Sequence, residues 1–527
     1  MNYTLMPSLE HRALIKTSIM LWNKEDIWSL MADFSFRSLL PIHKKRQWEV
    51  AEDKVIQNIS TLPLPEYLKK KMSIVTKATG LEILKWRQYH DLNSYLGIHQ
   101  TNNLCWTPQG TVDSKRTAEL LIKEDNNCCL GKSLNITKRY KLACIYCLED
   151  DILELWNKMP ANLRKSFYAN DGSRNVDEHE LVLFWTYSKV EENITMLGGI
   201  ASRMSSTLER TLHERTPYQC AFEYAVAIGN KTAAEFFLKK LTFMEREESL
   251  IRSAGYAAIR RINSRNLVTD LTPTVTNRIP KQSYSEILCF LLSQMGEQQQ
   301  MEVFRRHPCE VLMCLLDWPW QDLFMETANR MWDILSEKKW KYVLKLITDK
   351  VLQGHTEYNY QQLFGEFWKR SPKTHKKYVT DHCAGGYLLF YLFQIEDEEN
   401  IKLILNDATI IERKKFIFCD RGKAICEYLI DSDKWDLLKF FIRECVSSKH
   451  EMKTFKKEFK EEFHAFVERH FNHRFSRRKE KKFFRLIKRF IREFRKRKSE
   501  ETDDSIPAER LHDTELKHSK KKKKYAE

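Results

Sequence analysis

Six stretches of this chain carry one 14-residue pattern, and that pattern leaves few folds open. In AVAIGNKTAAEFFL, which starts at Ala225, an apolar run meets a Gly229-Asn230 break, and apolar residues then stand at positions 10 and 13. Comparable windows start at Cys144 (CIYCLEDDILELWN), Leu292 (LSQMGEQQQMEVFR), Ile334 (ILSEKKWKYVLKLI), Leu392 (LFQIEDEENIKLIL) and Leu429 (LIDSDKWDLLKFFI). Their position-10/13 pairs are Leu153/Trp156, Ala234/Phe237, Met301/Phe304, Val343/Leu346, Ile401/Ile404 and Leu438/Phe441. Residues three apart share one face of a helix, so each pair predicts a helix with a buried stripe. Ahead of it lies a short break, the others being Gly296-Glu297, Lys338-Lys339, Glu396-Asp397 and Asp433-Lys434, and then another apolar run. The windows read as helix, tight turn, helix. Such a hairpin cannot bury both faces alone, so the copies must stack. Starts are 81, 67, 42, 58 and 37 residues apart, and the two shortest spacings each hold one helix pair.

At 527 residues the chain exceeds one ordinary core, which leaves several domains or a repeat array. A 42% hydrophobic content suffices to fold, while 15 Gly and 13 Pro are few for the many turns of a sandwich or barrel. The expected class is all-α, a solenoid of stacked helix-turn-helix repeats. Thirteen scattered cysteines make a poor disulfide framework and point to a reducing compartment. The opening MNYTLMPSLEHRALIKTSIMLWNK has no uninterrupted apolar core, and the longest apolar run, Tyr387 to Phe393, is far shorter than a membrane span. We therefore expect no transmembrane segment and an intracellular protein, cytoplasmic or nuclear. The sequons at Asn2, Asn58, Asn135 and Asn193 are then chance matches.

Around the best window, Thr216-Pro217 opens a helix, followed by Ala225, Gly229-Asn230, Ala233-Ala234 and Phe236-Phe237-Leu238. This resembles a degenerate ankyrin repeat, with its Thr-Pro start, Ala-rich first helix, Gly-polar turn and apolar second helix. The resemblance covers roughly residues 140–445. In the family the Thr-Pro lies about one helical turn nearer the glycine, no other window has it, and only two of the six have the glycine. A HEAT-like or other α-solenoid is the alternative. Either implies a scaffold that binds another protein and has no chemistry of its own.

The expected domains are an N-terminal helical cap (1–100), a loop-rich junction (101–138), the repeat array (139–445), an amphipathic basic helical region (446–498) and a disordered lysine-rich tail (499–527). Cys144 and Cys147 form a Cys-x-x-Cys, but Cys128-Cys129 is adjacent and poorly spaced to complete a zinc site, so core packing is the expected role. Asp381-His382-Cys383 juxtaposes an acid, an imidazole and a thiol, though sequence adjacency is not triad geometry. No Walker, Rossmann, zincin or nucleophile-elbow motif occurs. We name no catalytic, cofactor or metal residue, and expect no enzyme.

Charge is concentrated at the end. Residues 477–527 hold 20 Lys+Arg against 10 Asp+Glu, so they carry +10 of the formal +16. Phe455, Phe459, Phe463, Phe466, Phe471 and Phe475 recur every three to five residues, followed by RRKEKKFFRLIKRFIREFRKRK. There Phe483, Phe484, Leu486, Ile487, Phe490, Ile491 and Phe494 interleave with basic residues, predicting an amphipathic basic helix. Its stripe can dock as a cap on the last repeat and leave the basic face solvated. Otherwise it suits an anionic membrane surface, an acidic helical partner of calmodulin type, or nucleic acid. The candidate polyanion-binding residues are Arg477, Arg478, Lys481, Lys482, Arg485, Lys488, Arg489 and Arg492, with Lys520, Lys521, Lys522, Lys523 and Lys524 in the tail. That five-lysine run also reads as a nuclear-import signal or a solvated tract.

Overall fold

The computed structural model describes residues 3, 7–31, 41–92, 104–123, 134–168, 179–190, 192, 194–205, 215–262, 282–381, 384–470 and 477–503. Among them the chain is all-α; the one extended feature is an isolated antiparallel bridge between Trp106 and Val112. It forms two compact units, Met1–Arg370 and Ser371–Glu527, so the division falls inside the predicted 139–445 array.

The first unit opens with α1 (Leu9–Trp22), α2 (Glu25–Met31), α3 (Pro41–Ser60) and α4 (Glu66–Leu92). They close around Trp22, which stacks on Trp48 at 5.2 Å and donates its indole N–H to the Thr76 carbonyl at 2.8 Å. Next comes α5 (Ser114–Lys123), inside the stretch read as loop-rich; burial of Thr117, Ala118, Leu121 and Ile122 on one side makes this polar segment helical. Then follow α6 (Ile136–Ile145), α7 (Glu149–Lys158), α8 (Ala161–Arg164), α9 (Glu180–Trp185) and α10 (Ile194–Ser205). The best window lies in α11 (Pro217–Ala227) and α12 (Lys231–Lys240), which lead to α13 (Phe243–Ile262). Thr216 caps α11, accepting from the Gln219 amide, and Pro217 sits in the first turn where no amide is needed. The unit ends with α14 (Gln282–Ser293), α15 (Glu297–Arg306), α16 (Pro308–Cys314), α17 (Phe324–Asn329), α18 (Glu337–Leu352) and α19 (Tyr360–Arg370). Helices close in sequence are neighbours in space: α11 packs on α10, α12 and α13, then α13 on α14 and α16, and α16 on α18.

The second unit contains α20 (Lys373–Asp381), α21 (Ala384–Gln394), α22 (Glu398–Asp407), α23 (Ile410–Phe418) and α24 (Asp420–Asp431). It closes with α25 (Trp435–Cys445), α26 (Lys449–His470) and α27 (Arg477–Asp503).

Four hairpins share one turn. A single residue adopts positive φ in each: Cys147 (55°), Gly229 (70°), Glu396 (55°) and Asp433 (55°). The next residue's amide bonds back to the first helix, Leu148 to Ala143 O (3.0 Å), Asn230 to Ala225 O (2.9 Å), Asp397 to Leu392 O (3.0 Å) and Lys434 to Leu429 O (2.8 Å). This is the Schellman ending, which satisfies carbonyls that the first helix would otherwise leave open. The residue donating that bond is also the N-cap of the second helix.

Aligned on this turn, two windows move by one residue and one by three. The first starts at Ala143 and not Cys144. The third starts at Leu291, because Gly296 is an N-cap with φ −69°. The fourth starts at Met331, since Ser336 is the N-cap of α18 and Lys338-Lys339 lies in its first turn. In the expected frames position 10 leaves Leu153 44% exposed and Met301 half-buried. In the corrected frames positions 10, 13 and 14 are buried in all six windows. The three shifted triplets are Ile152/Leu155/Trp156, Gln300/Val303/Phe304 and Trp340/Val343/Leu344. Gln300 is tolerated there because its amide donates to the Leu292 and Met295 carbonyls at 2.9 and 3.3 Å.

Three of the hairpins are followed by a third helix that carries a similar arginine contact. Arg164, Arg246 and Arg413 each stand 21 residues beyond Ala143, Ala225 and Leu392. Each donates from Nε to a carbonyl at the end of the second helix: Met159 (2.8 Å), Leu238 (2.9 Å) and Ala408 (3.2 Å). The guanidinium thus caps a helix C-terminus, where a cation is favoured.

Polar bonds join neighbouring hairpins of the first unit. Asn230 Nδ2 donates to Ile145 O (2.8 Å), Tyr284 Oη to Ala227 O (2.9 Å) and Tyr360 Oη to Leu316 O (2.9 Å). Buried Asp317 accepts from Arg261 Nε (2.5 Å), Lys350 Nζ (3.0 Å) and Ser285 Oγ (2.6 Å). Although burial opposes it, attraction to Arg261 and Lys350 holds the Asp317 carboxyl well below the usual carboxylate range.

Candidate polyanion interface

α27 is amphipathic because its apolar residues recur every three to four positions, and the structure shows what they cover. Phe483, Ile487 and Phe490 are buried, while Phe484, Leu486 and Ile491 are half-buried. The Phe483 ring lies 4.5 Å from Phe459, which packs beside Phe455, and Phe455 meets Phe418 at 5.9 Å. Burying three large apolar side chains contributes roughly 1.5–3 kcal/mol each. The stripe therefore docks within the second unit, against α26 and α24.

Polar contacts pin the same helix. Lys479 Nζ donates to Asp431 O at 2.7 Å and pairs with Asp433 at 2.8 Å, so it grips the turn between α24 and α25. The Lys479 hydrogen bond to the Asp433 carboxylate lowers the pKa of that carboxyl. Lys482 sits 4.2 Å over the Trp435 ring, and Arg443 lies 5.2 Å from the Phe490 ring and 3.6 Å from Glu493. Lys479 and Arg443 were not among the sequence candidates. The only signal for Lys479 was its place one helical turn before Phe483, on the docking side.

The candidate cations separate into groups. Lys481, Lys482, Arg485, Lys488, Arg489 and Arg492 are all exposed on α27. Lys482 is held by Trp435 and Arg489 pairs with Glu493 at 3.4 Å. Lys481, Arg485, Lys488 and Arg492 remain without an acidic partner among the described residues. Their spacing of i, i+4, i+7 and i+11 aligns them in one row of about 16 Å along the helix. Arg477 and Arg478 open α27, but their side chains lie outside the described set, as do Lys520 to Lys524.

Cys144 and Cys147 are both buried, and Cys147 forms the positive-φ turn. Burial pushes its thiol far above the ordinary value, which suppresses the thiolate that metal or redox chemistry needs. Among the described residues no three His, Cys, Asp or Glu side chains gather as metal ligands. Cys128, Cys129, His382 and Cys383 fall outside them. No described helix is long and apolar enough to cross a membrane.

No protein-family model matches the chain. Nor does any curated protein match it at a significant level.

Proposed function

We propose that this is a non-enzymatic interaction protein in which helix hairpins of one design stack, solenoid fashion, and hold another protein along their surface. The observation that carries this reading is the recurrence, in both compact units, of the same turn, buried triplet and arginine cap. Repeats that each satisfy their own helix ends can be added without a common core, which suits an extended binding surface. The exposed pairs Phe243-Met244 and Ile410-Ile411 occupy the same place, the first turn of the third helix, and are the first surface to test. Affinity capture would compare the full chain, a chain ending at Ser476, and a Phe243→Glu/Met244→Glu variant. A protein retained by the first two and lost from the third supports the reading. Failure of any protein to be retained specifically by the full chain refutes it.

A second reading has its own observation, the row of unpaired cations on α27. We propose that it contacts a polyanion such as duplex nucleic acid through phosphates. Insertion into a membrane, or seating in a calmodulin-type groove, would require Phe483, Ile487 and Phe490 to leave their cover, so the docked stripe favours phosphate contact. The exposed row carries no aromatic ring on which a single-stranded base could stack. Four such cations predict a slope of log affinity against log salt of about −3.6, since each neutralised phosphate contributes about −0.9. Fluorescence anisotropy with a short duplex measures it. A slope unchanged after alanine replaces all four cations eliminates this reading. Both readings fit a cytoplasmic or nuclear protein.

A further inference from the structure

The lysines that face solvent on α26 repeat the arrangement of the cations on α27. Lys453, Lys457 and Lys460 stand at i, i+4 and i+7, so they form one row of about 10 Å along the helix. All three are exposed and have no acidic partner among the described residues. The other side of the same helix carries Met452, Phe455 and Phe459, all buried. Resting on the reading of α27 as a polyanion contact, we propose that α26 and α27 together form a two-row clamp, which holds both phosphate backbones bordering one groove of duplex nucleic acid.

The two rows belong to one element of the second unit. The Phe459 and Phe483 rings lie 4.5 Å apart and Phe455 meets Phe483 at 6.3 Å, so the apolar stripes of the two helices meet. Each row lies on the side of its helix turned away from that contact. Packed helices stand about 8–10 Å apart and the major groove of a duplex is about 12 Å wide, so one row can reach each of the two backbones that border it. A single strand offers one backbone only. Nor do the described residues of α26 and α27 expose a Phe, Tyr or Trp on which its bases could stack.

Among the described residues no acid breaks either row. On α26, Glu451 is held by Lys414 and accepts from the Ser447 and Ser448 amides at 2.9 and 3.1 Å. Glu458 is half-buried and lies about 100° or more round the helix from each of the three lysines. On α27, Glu493 is engaged by Arg489 and Arg443. The two adjoining helices thus add Lys453, Lys457 and Lys460 to the Lys481, Arg485, Lys488 and Arg492 row. Contacts of this kind fix a protein on a duplex without reading its sequence.

The test is fluorescence anisotropy of the full chain with a short duplex, and with one of its strands, over a series of salt concentrations. Neutralising a phosphate at every cation of both rows gives a slope of log affinity against log salt of about −6.3, where α27 alone gives about −3.6. Alanine at Lys453, Lys457 and Lys460 should bring the slope to about −3.6, and alanine at the α27 cations to about −2.7. A control that loses three exposed lysines of the first unit, Lys54, Lys338 and Lys339, should keep the parent slope. Circular dichroism of each variant verifies that it folds. The single strand should bind more weakly than the duplex. A slope that stays at the parent value in the α26 variant but falls in the α27 variant overturns the clamp and leaves the α27 reading intact; a slope unmoved by either removes both. A control that falls as far as the α26 variant reports net charge alone and overturns the clamp as well. So does a single strand bound as tightly as the duplex, or binding to phosphatidylserine vesicles in place of the duplex.

Discussion

Glu396 provides a sharp test of the shared turn, because the preferred residue there should be the reverse of that in the adjoining helix. Its φ of 55° is left-handed, where an L side chain costs roughly 1–2 kcal/mol and glycine does not. Comparing Glu396→Ala with Glu396→Gly removes the exposed pair with Lys434, 2.9 Å away, from both sides of the comparison. Glycine loses about 0.5–1 kcal/mol more chain entropy on folding, so a net advantage of about 1 kcal/mol should remain for it. Lys402, exposed in the middle of α22, is the control; there alanine should exceed glycine by about 1 kcal/mol. For a unit of this size such differences move the thermal midpoint by about 2–4 °C. Each variant would be followed by circular dichroism, with amide exchange in α21 and α22 as a local probe. If alanine equals or exceeds glycine at position 396, the turn is not left-handed in solution and the frame built on it is wrong.

Other perturbations separate the remaining parts of the fold. Ala234→Glu places an unpaired carboxylate at a fully buried position of the α12 stripe and should cost several kcal/mol in urea unfolding; a harmless result would remove the buried triplet. Lys231→Ala should cost more than about 0.5 kcal/mol because it takes from Glu286 the nearer of its two lysines; equality with an exposed control such as Lys239→Ala would contradict that. Arg246→Ala should cost roughly 1 kcal/mol by opening the Leu238 and Lys239 carbonyls, and faster amide exchange at the end of α12 is the confirming signal. Burial pushes His90 down to about 4 from an ordinary 6.5, so the unfolded chain binds the proton first. Stability due to this group is therefore complete above pH about 6.5 and declines as pH falls towards 4, by a total on the order of 3 kcal/mol. A His90→Gln variant whose stability falls just as steeply over that window would exclude His90 as the cause.

Periodicity alone determined a good deal. Apolar residues at i, i+3 and i+4 specify a helix with one buried side wherever they occur, because that face is fixed by 3.6 residues per turn. This is why the hairpins around 144, 225, 392 and 429 and the amphipathic α27 were legible in the chain. The same width of stripe made the frame ambiguous. Leu153 and Trp156 satisfy the rule as well as Ile152 and Leu155 do, and only contact with neighbouring helices decided that Leu153 faces solvent. The turns were hidden for a related reason: glycine announces a left-handed residue at 229, whereas Cys147, Glu396 and Asp433 do not, and packing forces them there. The arginine cap was present in the sequence as Arg164, Arg246 and Arg413 at constant spacing. It went unread because its partners are backbone carbonyls, which every residue has. The cleft lined by Tyr89, Lys115, Asn230 and Glu286 was beyond any local rule, since these residues meet only after distant segments fold together. Likewise the basic face of α27 and its i, i+4 pair Arg489–Glu493 follow from local sequence, but the contacts of Lys479 and Lys482 depended on where Asp433 and Trp435 came to rest. Local pattern sets the direction a side chain points relative to its own helix; the tertiary structure sets what it meets there, because burial and charge pairing depend on contacts between residues far apart in the chain.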